Sequence, residues 1–271
     1  MIDMNTEYWL NVCKKTGNEV FKEINKIIKN EDRRKILKIG FSGDNTLDVD
    51  DLAEKIILKN FKSTGKSFKF ISEEIGIIEV GNKPEVVVAV DPLDGSNNMS
   101  YGLPIASSSI AIGDLSEKIS EIKVGYVKNL ILENEYHAIE GKGAFKNDKK
   151  IKVTKERKGC ILVDIAKDRR RNFQRIVPFG DNFRSVRMTG SSTLQMCQFA
   201  EGIADAHVIL GSVRTLDYAA PQLITKEAGG IIKDLEEKPF NDYYIGFNMK
   251  VNLIATFNEQ MYKMIRELLG D

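Results

Sequence analysis

Val86-Val87-Val88-Ala89-Val90 is an unbroken apolar run in which four of five residues are β-branched. Polar and apolar residues do not alternate along it, so the pattern predicts a strand buried on both faces. The run ends at Asp91. Pro92-Leu93-Asp94-Gly95-Ser96-Asn97 follows, a turn rich in breakers and capping residues.

Around this strand the periodicity alternates. Trp9, Leu10, Cys13, Val20, Phe21, Ile24, Ile27 and Ile28 recur at helical spacing and predict a helix over 6–29. Asn5 or Thr6 can cap it, and Glu7 in its first turn suits the helix dipole. A second helix is predicted over 50–60 and a short strand over 68–72, which stops at Glu73-Glu74. Strands over 107–112 and 122–126 and a hairpin turn over 140–145 complete an α+β first half. The second half predicts strands over 160–165, 185–188, 206–210 and 231–232. Helices are predicted there over 169–177, 192–201, 218–228 and 259–269. The fold class is α/β. The halves, 1–155 and 156–271, are expected to pack as one unit with a soft boundary near 150–158.

Composition narrows the function. The 271 residues suffice for a large core, and 42% are hydrophobic. The formal net charge is +1, without the basic excess of a phosphate-gripping nucleic-acid binder. The basic cluster Lys167-Asp168-Arg169-Arg170-Arg171 reads as a solvated turn. Cys13, Cys160 and Cys197 are far apart and fit neither a disulfide framework nor a zinc site; Cys13 and Cys197 read as buried thiols. His137 and His207, the two histidines, read as core or surface residues. No signal peptide is visible, and no stretch nears the roughly 20 apolar residues of a membrane span. A cytoplasmic location is expected.

The informative residues are carboxylates at element ends. Glu73 follows a strand, Asp91 ends the most apolar one, Asp94 lies three residues on, and Asp217 opens a helix. Ligands of open α/β sheets gather at the carboxyl ends of strands. Carboxylates converging there repel one another unless a cation neutralises them. An all-oxygen set favours a hard cation such as magnesium. Gly95 lets the backbone approach an anion, and the residues after it, Ser96 and Asn97, can open a helix whose free amides bind phosphate oxygens.

Asp91-Pro92-Leu93-Asp94-Gly95-Ser96 resembles the D-P-[IL]-D-G-[ST] signature of the inositol monophosphatase superfamily. Leu216-Asp217-Tyr218-Ala219-Ala220 resembles its second signature, W-D-x-A-[AG]. Ser72-Glu73-Glu74 and the segment from Thr46 to Glu54 resemble the acidic pair and the T-x-x-D-x-x-x-E stretch upstream. The resemblance implies a layered α-β-α-β-α fold, a homodimer, and two to three magnesium ions per site. It makes Glu73, Asp91, Asp94, Asp217 and the Leu93 carbonyl metal ligands. Asp50 would deprotonate the attacking water with Ser96.

The reaction implied is hydrolysis of a sugar or polyol phosphomonoester by direct in-line attack of an activated water. Met188-Thr189-Gly190-Ser191-Ser192 resembles the family's polyol-contacting G-[ST]-A stretch, which makes Gly190, Ser191 and Ser192 substrate contacts. Animal members carry a Glu seven positions before the second-signature Asp; here that position is Leu210. Val213-Arg214-Thr215-Leu216-Asp217 is similar to the archaeal branch, which acts on both fructose-1,6-bisphosphate and inositol-1-phosphate. Arg187 and Arg214 could then meet a second phosphate. The alternatives are a 3′-phosphoadenosine-5′-phosphate phosphatase and a non-catalytic metal- and phosphate-binding module. An aspartyl-phosphate mechanism at Asp91 fits poorly, because the second carboxylate stands three residues on and Pro92 alters the turn.

Overall fold

The helical stripe at the start of the chain folds as expected, as α1 (Thr6–Asn30). A computed structural model describes residues 4–30, 49–73, 75–246 and 250–270. Thr46 and Glu74, named in the family resemblance, lie outside the described residues. After α1 come α2 (Val49–Lys62), β1 (Phe68–Ser72), β2 (Gly76–Val80), β3 (Val86–Asp94), α3 (Ser96–Ser100) and β4 (Ser107–Gly113). Next are β5 (Ile122–Asn129), β6 (Glu135–Ile139), β7 (Gly143–Lys146) and β8 (Lys149–Ile151). These eight strands form one sheet in the order β2-β1-β3-β4-β5-β6-β7-β8, with β1 and β3 parallel and every other pair antiparallel.

A second sheet has the order β10-β9-β11-β13-β12. It is built from β9 (Cys160–Ile165), β10 (Ser185–Arg187), β11 (Ala206–Arg214), β12 (Ile231–Lys233) and β13 (Lys250–Thr256). Its helices are α4 (Arg169–Ile176), α5 (Phe179–Asn182), α6 (Ser192–Ala200), α7 (Ala219–Glu227) and α8 (Glu259–Leu269). The bounds of α8 match the sequence expectation.

Three apolar cores define five layers, α-β-α-β-α. Trp9, Cys13, Val20, Ile57 and Phe61 of α1 and α2 pack on Val86, Val88 and Val90 of β3. On the other face of β3, Val87 and Ala89 meet Leu194, Phe199, Ala220 and Leu223 of α6 and α7, which also cover the second sheet. Phe179, Met261, Tyr262 and Ile265 close the outer face of that sheet. The Val86–Val90 run is therefore buried on both sides, as its composition requires. Contact between α7 and the first sheet is close enough that a Cβ on Gly125 would lie 2.6 Å from the Ala220 carbonyl oxygen.

The differences from the sequence expectation lie in weak local signals. β2, β6, β8 and β13 form without being predicted. β2 is an edge strand of half-exposed and exposed residues, and its partner β1 supplies the hydrogen bonds that fix it. The predicted helix over 218–228 is a 3₁₀ turn at Leu216–Tyr218 followed by α7. The basic cluster at 167–171 is solvated as expected, but Arg169 to Arg171 start α4. Cys13 and Cys197 are buried free thiols.

Candidate active site

Asp91 and Asp94 stand three residues apart, so a regular strand would point them to opposite faces. The structure resolves this with a β-bulge. Asp91 pairs with Ser109 and Asp94 with Ser107, so β3 carries one residue more than β4 across this stretch. The extra residue turns both carboxylates to one side. Pro92, which has no N–H to donate, sits within the bulge, where a sheet tolerates it. The Leu93 side chain enters the core beneath α1 and α2, which leaves its backbone for the site.

Gly95 follows with φ +93°, and a Cβ there would lie 2.8 Å from the Ile105 carbonyl oxygen. Both constraints call for glycine. The turn delivers exposed Ser96 and Asn97 to the start of α3, where the first amides have no helical acceptor. Asn98 is buried and donates to the carbonyls of Ile105 and Thr189, which ties α3 to the stretch Met188–Ser192.

Asp94 Oδ2 accepts from Ser191 Oγ at 2.6 Å and from the Thr193 amide at 2.8 Å. These bonds fasten the first sheet to the start of α6. Glu73, Asp91 and Asp217 converge beside it. The Arg214 guanidinium lies among them, 2.6 and 2.7 Å from the two Glu73 oxygens and 3.1 Å from Asp217 Oδ2. Arg214, a candidate for contact with a second phosphate, is paired here with two of the predicted metal ligands. Among the described residues, no three acidic, histidine or cysteine side chains already close on a single point as a cation cage.

The electrostatics show what this cluster lacks. Burial pushes Asp91 well above the usual carboxylate range, and the charges of Asp217, Asp94 and Glu73 push it further than Arg214 offsets. Asp94 is also raised by burial, opposed by the Ser191 hydrogen bond. Burial raises Asp217 to about 7 although Arg214 pulls the other way. Burial works against the charge on Arg214, but Glu73 and Asp217 outweigh it. One guanidinium among four carboxylates leaves an excess of negative charge in a buried place. Hard oxygen donors with uncompensated charge fit a divalent cation such as magnesium.

Asp50 lies in the first turn of α2. Glu54, one turn on and buried, accepts from the Ile75 amide at 3.2 Å and so anchors the segment after Glu73. Arg187 is exposed at the end of β10, Gly190 packs against the Asn98 side chain, and Ser192 opens α6. Leu210 does not face this site. Its side chain is in the outer core with Ile161 and Val163.

Sequence reasoning missed a polar network under Met188–Ser192. Gln195 Oε1 accepts from both the amide and the hydroxyl of Thr189 at 2.6 Å. Its Nε2 donates to Asp164 Oδ2 at 3.1 Å. His207 Nε2 lies 2.8 Å from the same oxygen. His207 is fully buried, so the expectation of a core role holds. His137, stacked on Phe145, is also buried. A sequence signal for Asp164 did exist: like Asp91, it ends an apolar run, Ile161-Leu162-Val163.

A layered α-β-α-β-α protein with a bulge-borne carboxylate pair and a facing Asp217 defines a narrow class. The chain belongs to the inositol monophosphatase family, whose profile matches residues 6–269. It is 29% identical to the fructose-1,6-bisphosphatase/inositol-1-monophosphatase of Methanothermobacter thermautotrophicus, over 99% of both chains. It is 31% identical to a bifunctional NADP phosphatase/NAD kinase of Methanococcus maripaludis, over 98% of this chain and 49% of that protein. The solved structure of a hypothetical protein from Pyrococcus horikoshii with similarities for inositol-1 monophosphatase superposes with a TM-score of 0.80 at 30% identity, covering 97% of this chain and 98% of that one. No described helix is long and apolar enough to cross a membrane.

Proposed function

We propose that the chain is a magnesium-dependent phosphomonoesterase acting on fructose-1,6-bisphosphate and inositol-1-phosphate. The observation that carries this reading is the bulge at Asp91–Asp94, which turns buried Asp91 and half-buried Asp94 toward Asp217 and Glu73 directly beside the Gly95–Ser96 turn. The full-length relative from Methanothermobacter thermautotrophicus, which carries both activities in its name, supports it.

Glu73, Asp91, Asp94, Asp217 and the Leu93 carbonyl would hold the magnesium. When bound, that ion neutralises phosphate oxygens, acidifies water and stabilises the leaving oxygen. The chain's own groups do the rest. The amides of Ser96 and Asn97 receive phosphate oxygens. Asp50 takes the proton of the attacking water, with the Ser96 hydroxyl relaying the hydrogen bond. Gly190 and Ser192 line the polyol side; Ser191, expected there too, is fully buried and holds Asp94 instead, donating to its Oδ2 at 2.6 Å. Arg187 is exposed and can meet a second phosphate.

The test is phosphate release from a panel with magnesium: fructose-1,6-bisphosphate, inositol-1-phosphate, 3′-phosphoadenosine-5′-phosphate and NADP. Turnover of the first two supports the proposal. A second reading, removal of a phosphate from a nucleotide ribose, is favoured by the NADP phosphatase relative, of which this chain spans about half. Hydrolysis of only the adenine nucleotides would establish that reading instead. Magnesium binding without turnover of any ester would mark a non-catalytic module.

A further inference from the structure

Besides the carboxylates assigned to magnesium, the second sheet brings one more acid to the same edge. Asp164 is the next-to-last residue of β9, in parallel register with Ile209 of β11, the strand that runs on to Arg214 and the Asp217 turn. Leu162, two residues earlier, faces the inner core under α6, whereas Ile161 and Val163 face the outer core. Asp164 therefore shares the inner face with His207 and Gln195, and its charge is felt by both Asp94 and Tyr218.

Its two oxygens are treated differently. Oδ2 takes both hydrogen bonds, from Gln195 Nε2 at 3.1 Å and from His207 Nε2 at 2.8 Å. The Gln195 amide nitrogen also lies 3.4 Å from Val163 O and 3.3 Å from His207 Nε2, and the ionised Asp164 oxygen between them can only accept. His207 must then donate from Nε2, which leaves Nδ1 bare, as the structure has it. Oδ1 of Asp164 accepts no hydrogen bond among the described residues, and 14% of the side chain stays open.

A purely structural acceptor for Gln195 and His207 could be neutral. A carboxylate beside Asp94 adds like-charge repulsion and needs a further reason. Fixed through Oδ2, it presents Oδ1 as a preorganised acceptor, and Gln195 couples that acceptor to Thr189 in the Met188–Ser192 stretch. A hydroxyl is the donor that suits it, and sites built to bond a substrate hydroxyl strongly reject analogues lacking one.

We propose that Asp164 is a specificity-determining residue whose Oδ1 accepts a hydrogen bond from a hydroxyl of the polyol or sugar phosphate cleaved at this site. The proposal rests on the phosphatase reading above. The test is steady-state kinetics of the magnesium-loaded wild type and Asp164→Asn on inositol-1-phosphate and on p-nitrophenyl phosphate, which has no hydroxyl. Asparagine keeps the volume and an acceptor for Gln195 and His207 but offers the substrate an amide. The ratio of kcat/KM for the polyol ester to that for the aryl ester should fall about tenfold or more, mainly through KM, as loss of a hydrogen bond to a charged group predicts. An unchanged ratio, whether both activities fall together or neither does, overturns the assignment while leaving the phosphatase reading intact. A wild type that cleaves no polyol or sugar phosphate overturns both. Should Asp164→Asn not fold, Asp164→Ser replaces it. Failure of both to fold makes Asp164 a core residue and ends the proposal.

Discussion

Arg214 grips Glu73 with both terminal nitrogens, at 2.6 and 2.7 Å, and reaches Asp217 through Nε at 3.1 Å. Two residues expected to hold magnesium are thus also paired with an internal cation. Removing the guanidinium should leave the carboxylates to repel one another. For Arg214→Met we expect the metal-free melting midpoint to fall by about 2–4 °C, the shift of about 1 kcal/mol in a partly exposed network and a chain of this size. The rise on adding magnesium should be larger than in the wild type. Differential scanning fluorimetry in chelator and in magnesium measures both. An unchanged metal-free midpoint would show that the pairing contributes nothing.

Asp217 makes the metal-free protein sensitive to pH. Its folded value of about 7 lies above the ordinary 3.8, so between those values the folded state holds more protons than the unfolded one. The stabilisation from the neutral carboxyl is complete below about pH 4 and lost as pH rises through 7. The amide introduced by Asp217→Asn does not titrate, so the wild type should lose stability relative to this variant between about pH 5.5 and 8 in chelator. Urea midpoints at the two pH values report the difference. Magnesium should reverse the trend, because its ligands must be charged. A pH-independent difference between the two proteins would refute the assignment.

Asp94 should be needed for turnover and dispensable for folding. Asp94→Asn keeps an oxygen for Ser191 Oγ and the Thr193 amide but removes a charge from the cation site. Activity on inositol-1-phosphate should fall about a hundredfold or more at saturating magnesium. The circular dichroism spectrum should match the wild type. Retention of about a tenth of the activity would remove Asp94 from the metal site.

Gly95 is constrained twice, by φ +93° and by the Ile105 carbonyl 2.8 Å from where a Cβ would stand. Gly95→Ala should cost about 1–3 kcal/mol of stability, measured by urea unfolding. It should also lower kcat/KM about tenfold or more, because the shift moves the Ser96 and Asn97 amides. A variant as stable and as active as the wild type would show that the turn adapts freely.

Much of this protein is legible along the chain. Val86–Val90 is apolar without alternation, and that alone requires cover on both faces. Asp91, Asp94 and Asp217 stand at the ends of recognisable elements, so their place at one edge follows from local pattern and strand direction. That Asp91 and Asp94 share a side does not follow, since an odd spacing on a strand separates them; the bulge opposite Ser107–Ser109 decides it. Tertiary structure also decides which cation sits between Glu73 and Asp217, because the pairing with Arg214 spans 141 residues for Glu73. Likewise, only the packing of α6 against β9 and β11 brings Gln195, Asp164 and His207 together beneath Thr189. Local sequence sets the period and termini of each element. The partners of a charged side chain depend on which strands lie side by side, and that is fixed only when the whole core has closed.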